Sequence, residues 1–151
     1  MISLLNEERT WTIIRDANPR ARELADRHYS RKTKGGKWFV GVGEKLVLMN
    51  ADATALFIWR KSDDALRMDN QTGVECTLFR NESSARSSDL IKEAIRIGRE
   101  RWPNEKRFFT YVNPSKIKET DLPGFCFLAA RWRYAGKNKT GKLVILEKVI
   151  T

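Results

Sequence analysis

The stretch that decides the fold is Val74–Trp102, which reads VECTLFRNESSARSSDLIKEAIRIGRERW. Its first part, Val74–Arg80, has the β-rich composition of a strand and ends on an arginine. The middle, Asn81–Ser88, is polar with four serines and predicts a loop. The last part, Asp89–Trp102, has apolar residues at helical spacing. The apolar side of the predicted helix contains Leu90, Ile91, Ala94, Ile95, Gly98 and Trp102.

The junction between this strand, loop and helix is a candidate phosphate site. A helix N-terminus carries unpaired backbone N–H groups and a partial positive charge, and both favour an anion. The serine side chains and Arg80 lie beside that junction in the sequence. The alternative interpretation is structural: Ser87 or Ser88 is an ordinary N-cap, and Arg80 is a solvated strand end.

Composition narrows the class of protein. The chain has 151 residues, 41% of them hydrophobic, which predicts one domain, residues 1–151, with a real core. The sequence contains no run of 18 apolar residues, so no transmembrane helix is predicted. The first residues lack the basic segment of a signal peptide, so none is expected. The two cysteines, Cys76 and Cys126, are expected to be reduced core residues of a cytoplasmic protein. One histidine and two cysteines disfavour a zinc site, so we expect no metal.

The net charge is informative about partners. Lys and Arg number 29 against 19 acidic residues, which gives a formal charge of +10. A surplus of this size favours a polyanionic partner, of which nucleic acid is the commonest.

The other elements follow from similar patterns along the chain. Strands are predicted at Trp11–Arg15, Lys45–Met49, Thr54–Trp59, Arg107–Val112 and Leu143–Val149, with a further short strand at Trp38–Val42. Asn18 and Pro19 begin a helix that runs to Arg27. A second short helix, Gly124–Trp132, is expected to bury Phe125, Phe127, Leu128 and Ala129, and a turn follows at Gly136–Gly141. The order β, α, β, β, β, α, β, α, β predicts an α/β or α+β fold, with a central mixed sheet flanked by helices.

This order resembles the GNAT acyltransferase fold across most of the chain. In GNAT proteins the loop after the fourth strand, with the motif Gln/Arg-x-x-Gly-x-Gly/Ala, holds the pyrophosphate of acyl-CoA. Residues Arg80–Ala85 (RNESSA) resemble this motif, with Ser83 in place of the usual glycine. The resemblance implies acetyl-CoA or another acyl-CoA as cofactor. The residues that it implies for binding are Leu78, Phe79, Arg80, Ser83, Ser84, Ala85, Ser87 and Ser88.

Several short segments resemble the Mom-type branch of these proteins, which modifies adenine in phage DNA. They are Ala25–Arg31 (ADRHYSR), Leu78–Glu82 (LFRNE) with Ser87 and Ser88, Thr110–Pro114 (TYVNP), and Pro123–Phe127 (PGFCF) with Ala130 and Trp132. The resemblance implies a DNA-modifying transferase of phage or prophage origin. Two positions depart from the Mom pattern: Asn113 stands where the family has an acid, and Arg131 stands where it has glycine.

Four residues are candidates for the chemistry. His28 is the only histidine, and its ordinary pKa suits proton transfer at neutral pH. By resemblance, His28 and Tyr29 line the acceptor side of the cleft, while Tyr111 and Asn113 lie at the end of a central strand. Backbone N–H groups of Thr77–Phe79 would hold the oxyanion, and Tyr29 or Tyr111 would protonate the leaving thiolate. The alternatives are a helix C-terminal cap for His28 and a half-buried strand aromatic for Tyr111.

Two basic segments without acidic residues are candidates for DNA contact. They contain Arg27, Arg31, Lys32, Lys34, Lys37, Arg131, Arg133, Lys137, Lys139 and Lys142. Trp38 and Phe39, next to the first segment, have rings that can stack on a base. The alternative is a pair of solvated loops.

Three functions remain open from the sequence. The first is a GNAT-like enzyme that acylates the exocyclic amine of a nucleobase, adenine in DNA. The second keeps the fold and takes a small-molecule or protein amine as acceptor. The third is a non-catalytic nucleic-acid-binding module. No membrane partner is expected, and a homodimer remains open.

Overall fold

The computed structural model describes residues 10–27, 43–116 and 124–151, which form a mixed α+β fold around one sheet. Within these residues the sheet has seven strands: β1 (Trp11–Ile14), β2 (Glu44–Asn50), β3 (Ala55–Lys61), β4 (Val74–Asn81), β5 (Arg107–Val112), β6 (Arg133–Lys137) and β7 (Val144–Val149). The helices are α1 (Pro19–Asp26), α2 (Ser87–Arg101) and α3 (Phe125–Ala129), with 3-10 turns at Asp64–Leu66 and Pro114–Lys116. The strand predicted at Trp38–Val42 lies outside the described residues.

The strand order across the sheet is β1-β2-β3-β4-β5-β7-β6. Strands β4 and β5 are parallel, and every other neighbouring pair is antiparallel. Parallel neighbours need a long crossover connection, and α2 supplies it. The mixed sheet predicted from the sequence is therefore confirmed.

The hairpin between β2 and β3 is held by the side chain of Asn50. Its Oδ1 accepts hydrogen bonds from the N–H groups of Thr54 and Ala55, both at 2.8 Å. Its Nδ2 donates to Thr54 Oγ1 at 2.8 Å. The hairpin predicted from the turn residues is thus confirmed. The three hydrogen bonds explain why the polar side chain of Asn50 is tolerated in a buried position.

Helix α2 packs on one face of the sheet through the apolar side that its sequence predicts. All six predicted residues are buried or nearly so, and Ile97 joins them. Two indole groups hold the helix to the sheet: Trp11 Nε1 donates to Leu90 O at 2.8 Å, and Trp59 Nε1 donates to Ala94 O at 2.9 Å. A Cβ at Gly98 would lie 3.1 Å from Trp59 Nε1, so a glycine there permits this close approach.

Helix α1 covers part of the opposite face. Asn18 is its N-cap, as predicted, because Oδ1 accepts from the N–H groups of Arg20 and Ala21 at 3.0 and 3.1 Å. Leu24 of α1 belongs to a buried cluster with Ile58 of β3 and Leu78 of β4. The two faces of the sheet therefore carry separate cores, one under α1 and one under α2 and α3.

Near the C-terminus one prediction was wrong and one strand was missed. Helix α3 is shorter than expected and buries only Phe127 of the four predicted residues, because Phe125, Leu128 and Ala129 face outward. Strand β6 was not predicted at all. Its residues are mostly exposed, so they show no alternation of apolar and polar side chains.

Both cysteines are free thiols, as expected: Cys76 is buried, and Cys126 is partly buried. Burial raises the pKa of each thiol. The longest helix in the described ranges has 15 residues, and none there has the length and apolar character to cross a bilayer.

Candidate functional site

The sheet opens between β4 and β5. The two strands pair only over Val74–Cys76 and Phe108–Thr110, although β4 continues to Asn81 and β5 to Val112. At the last pair, Thr110 Oγ1 donates to Cys76 O at 2.9 Å. Beyond this point the facing edges of the two strands no longer bond to each other. The two strands are therefore unpaired with each other from Cys76 and Thr110 toward their carboxyl ends, and we call this unpaired region the cleft.

A β-bulge in β4 lies at the start of this cleft. Ile58 of β3 pairs with Leu78 and the next residue, Trp59, pairs with Cys76, so Thr77 is the extra residue. The bulge changes which face each later side chain takes. Cys76 lies with the core under α2, whereas Leu78 lies with the core under α1. The predicted oxyanion donors, Thr77–Phe79, follow the last paired residue and so border the cleft.

Helix α3 covers the cleft on the α2 side. A Cβ at Gly124, just before α3, would meet the side chains of Leu146 and Val112. The ring of Phe127 lies 6.0 Å from that of Phe79 on β4. Helix α3 thus extends from the β5 and β7 side of the cleft to its β4 side and gives it an apolar wall.

The loop after β4 is folded around Asn81. Its Nδ2 donates to Ala85 O at 2.8 Å and to Ser87 Oγ at 2.9 Å. Its Oδ1 accepts from the N–H and hydroxyl of Ser83. Ser83 Oγ in turn accepts from Ala85 N–H at 3.2 Å. Asn81 was not among the predicted site residues, although an asparagine followed by serines is a known signal for turns closed by a side chain.

Helix α2 begins with free backbone donors. The N-cap is Arg86, which makes no side-chain capping bond, so the prediction of Ser87 or Ser88 as N-cap was wrong by one or two residues. Within the described chain, the N–H groups of Ser84, Arg86, Ser87 and Ser88 have no hydrogen-bond acceptor. The Arg86 side chain is exposed at the same place. The predicted residues Ser83, Ser84, Ala85, Ser87 and Ser88 are therefore gathered in one small loop at the mouth of the cleft.

Arg80 does not lie with the serine loop at the start of α2. It pairs with Leu56 of β3, whose side chain belongs to the α1 face. Its Nη1 donates to Arg27 O at the end of α1, at 2.9 Å, and its Nε lies 2.7 Å from Glu82 Oε2. The expectation that Arg80 stands beside the start of α2 is corrected by this geometry: in the structure it caps α1.

Glu82 binds two arginines at once. Arg27 approaches it with Nε and Nη2 at 2.7 and 3.0 Å, and Arg80 approaches it with Nε. These hydrogen bonds, Arg27 first, lower the pKa of Glu82 to about 2. Arg27 was expected to be an uncompensated cation, so this pairing is a correction. The partner, Glu82, lies 55 positions from Arg27 in the sequence, so the local sequence around Arg27 does not reveal the ion pair.

We expect the protein to lose stability as the pH is lowered from about 5 to about 2. A hydrogen bond from Arg67 lowers the pKa of Asp69 in the fold, and a hydrogen bond from Arg107 lowers that of Glu147 in the same direction. A carboxyl with a lowered folded-state pKa stabilises the fold above its unfolded pKa and ceases to do so below the folded value. Urea midpoints across this pH range test the point, and Asp69→Asn should flatten the curve. A flat curve for the unmodified protein would contradict it.

Tyr111 lies on β5, and its hydroxyl is bound to the segment that precedes β4. Its hydroxyl donates to Asp69 Oδ2 at 2.7 Å, and Asp69 is itself bound by Arg67. Burial, and then the bond to Asp69, raise the pKa of Tyr111. The half-buried ring thus fastens the segment before β4 to the sheet, which favours the structural alternative over a proton donor. Asn113 closes a turn: its Oδ1 accepts from the N–H and Oγ of Ser115 at 3.0 and 2.7 Å.

The described cations of the basic segments are Arg27, Arg131, Arg133, Lys137, Lys139 and Lys142. Arg133 contradicts the expectation of an uncompensated charge, because its guanidinium lies 2.7 Å from Glu147. Lys139 Nζ donates to Met68 O at 3.1 Å and keeps its charge. The other predicted site residues lie outside the described residues: His28, Tyr29, Arg31, Lys32, Lys34, Lys37 and Trp38. Phe39 lies outside them too.

No family model matches the chain, and no curated protein matches it.

Proposed function

We propose that the chain is a GNAT-type transferase that binds acetyl-CoA or another acyl-CoA in the cleft between β4 and β5. The observation that carries the proposal is that one strand, β4, connects the cleft to the loop at the start of α2. The cleft opens at Cys76, and β4 leads from it directly into a loop in which four N–H groups have no acceptor among the described residues. A pyrophosphate fits such a helix start, and an acyl arm fits an apolar cleft bordered by unpaired strand edges.

The loop's construction supports a role in binding. Asn81 and Ser83 use their side chains to hold the turn, which leaves the backbone donors of Ser84, Arg86 and Ser87 available to a ligand. Donors held in place in this way lose little entropy when an anion binds. Arg86, absent from the sequence-based site, adds an exposed cation at the same position.

The proposed transfer joins an acceptor amine to the acyl carbon as the thioester C–S bond breaks. The amine proton goes to His28 or to water, and the thiolate takes a proton as it leaves. Backbone donors next to the bulge at Thr77 stabilise the oxyanion. Tyr111 is a poor choice for the thiolate's proton because Asp69 holds its hydroxyl. We therefore assign that proton to Tyr29 or to water.

We propose DNA as the acceptor, with the exocyclic amine of adenine as the reacting group. The support is the formal charge of +10 and the hairpin formed by β6 and β7, in which residues 131–142 hold five cations and no acid. An exocyclic amine inside a duplex is out of reach of a cleft, so the base must be unpaired or flipped.

One observation favours the non-catalytic alternative. Asn113 stands where the Mom pattern has an acid, and its Oδ1 is occupied by two donors from Ser115. A chain that binds DNA without transfer would need no base at this position. Binding of CoA separates the alternatives, because a DNA-binding module has no reason to retain the phosphate loop.

The test of the cofactor site is Ser87→Pro beside Ser87→Ala. Proline at the first helical position removes only a free N–H, and Arg86, with φ −70° and ψ 126°, has a backbone that suits a following proline. Both variants lose the hydroxyl that Asn81 contacts, so their difference isolates the N–H. CoA should raise the melting temperature of the unmodified protein and of Ser87→Ala. Ser87→Pro should bind CoA about 10- to 150-fold more weakly, the effect of one hydrogen bond to a charged group.

The outcomes discriminate between explanations. No shift with CoA in the unmodified protein would contradict the GNAT-type proposal. Equal binding by the proline and alanine variants would place the pyrophosphate away from the start of α2.

A further inference from the structure

Strand β6 is an edge strand with an exposed aromatic ring. It is the last strand in the sheet order and pairs only with β7 among the described residues. Tyr134 is 58% exposed. It stands opposite Leu146, which belongs to the core under α2 and α3, so the ring lies on that face of the sheet. More than half of this tyrosine is thus open to solvent in the part of the chain that the structure describes.

Helix α3 extends this exposed surface toward the cleft. Phe125 is 62% exposed and directly follows Gly124, which packs against Leu146. Tyr134, which pairs with Leu146, and Phe125, which follows Gly124, are therefore both near Leu146. We call Tyr134, Phe125 and Leu128 the apolar strip, because all three are exposed on the face where α3 covers the cleft.

Cations surround the strip. Lys137 stands opposite Val144, two residues from Leu146 on β7, so it shares the face of Tyr134. Arg131, Lys139 and Lys142 are exposed around the same hairpin. The nearest carboxylate on β7, Glu147, is already bound by Arg107 and Arg133. The edge thus combines open apolar rings with a positive field.

The charge decides which occupant fits. A second copy of the chain, added edge to edge, would bring the cations of two β6 strands together, and such charges oppose strand pairing. A polyanion gains from the same charges. Among polyanions, an unpaired strand also offers bases whose faces can stack on exposed rings, whereas the base faces of a duplex are covered by their neighbours.

We infer that the β6 edge binds single-stranded or locally unpaired DNA, with Tyr134 stacked on a base and the hairpin cations on the phosphates. The inference rests on the proposed function for DNA as the partner, and it adds the strand state and the contact residue. Its location beside α3 would bring an unpaired base next to the cleft in which the proposed transfer takes place.

The experiment measures fluorescence anisotropy of a short labelled DNA strand and of its duplex, without acyl-CoA, across a salt series. The unmodified protein should bind the single strand more tightly. Tyr134→Ala should weaken that binding about 5- to 150-fold without changing the salt slope. Lys137→Gln with Lys142→Gln should lower the slope of log affinity against log salt by about 0.7 per lost contact.

The matched control is Ile13→Ala on the opposite edge strand, where Ile13 is 56% exposed. This variant should bind like the unmodified protein, and Tyr134→Phe should retain binding because it keeps the ring. Unchanged affinity in Tyr134→Ala, or tighter binding of the duplex, would overturn the inference. So would a dimer in light scattering that Tyr134→Ala converts to a monomer, since the edge would then be a self-interface.

Failure of the inference and failure of the proposed function give different results. If the unmodified protein binds DNA but Tyr134→Ala binds equally well, only the β6 contact is wrong. If it binds no DNA at low salt, the contact and the DNA acceptor both fall. The CoA-dependent melting shift reports on the transferase separately in either case.

Discussion

Replacement of Glu75 by alanine is expected to lower the free energy of unfolding by about 3–5 kcal/mol. Glu75 Oε1 accepts from Arg60 Nη2 and Arg67 Nη2, both at 3.0 Å. The side chains of Glu75 and Arg67 are only 11% and 5% exposed. Without the carboxylate, Arg67 would keep its bonds to Asp69, whereas Arg60 would lose the carboxylate that it binds, and its Nε has no hydrogen-bond partner among the described residues. The cost comes from leaving the largely buried guanidinium of Arg60 without its carboxylate.

A matched control is Glu82→Ala. Glu82 also binds two arginines, but Arg27 and Arg80 are 48% and 34% exposed, so water replaces the lost carboxylate. The expected loss is about 0–1 kcal/mol. Urea denaturation of both variants at neutral pH measures the difference. Equal losses would contradict the claim that burial, rather than the number of ion pairs, sets the cost.

The second large effect concerns the chemistry. If the chain modifies adenine, DNA from cells that express it should contain an adenosine of increased mass, measured by mass spectrometry of nucleosides. His28→Ala should reduce this product about 10²- to 10⁴-fold, the usual cost of a lost proton-transfer group. Tyr29→Phe should also reduce it, if Tyr29 protonates the thiolate. Full modification by His28→Ala would remove the only histidine from the mechanism.

Asn113→Asp tests whether the natural chain is a catalyst. An aspartate oxygen can accept the same two bonds from Ser115, so the turn should remain and only the charge should change. If Asn113 merely orients the acceptor, the aspartate should preserve or lower the product. Modified adenosine that appears only in Asn113→Asp would leave the natural chain as a binding module.

The sequence by itself determined the elements whose signals are local. The apolar spacing of α2 and the turn chemistry at Asn50 each involve residues within a few positions of one another, so their patterns are readable without the fold. The N-cap Asn18 was predictable for the same reason. Gathering of the serine loop at the start of α2 also follows from chain order alone.

Only the tertiary structure decided the place of Arg80. Simple alternation along Val74–Arg80 would put Arg80 on the face of Val74 and Cys76, which is the face of α2. The bulge at Thr77 reverses that alternation, so Arg80 lies under α1 with Arg27 and Glu82. The bulge is set by pairing with β3, and pairing between distant segments leaves no trace in the local pattern.

The cleft and the edge strand were likewise decided by the fold. The early end of the ladder between β4 and β5 depends on how two strands separated by a whole helix diverge. Strand β6 buries little, so no apolar period marks it, and only its bonds to β7 make it a strand. The Glu75 and Asp69 networks join residues from four segments: β3, the connection before β4, β4 and β5. The sequence therefore determined the elements, while their relative placement determined which side chains meet, because that placement is fixed by contacts between residues far apart in the chain.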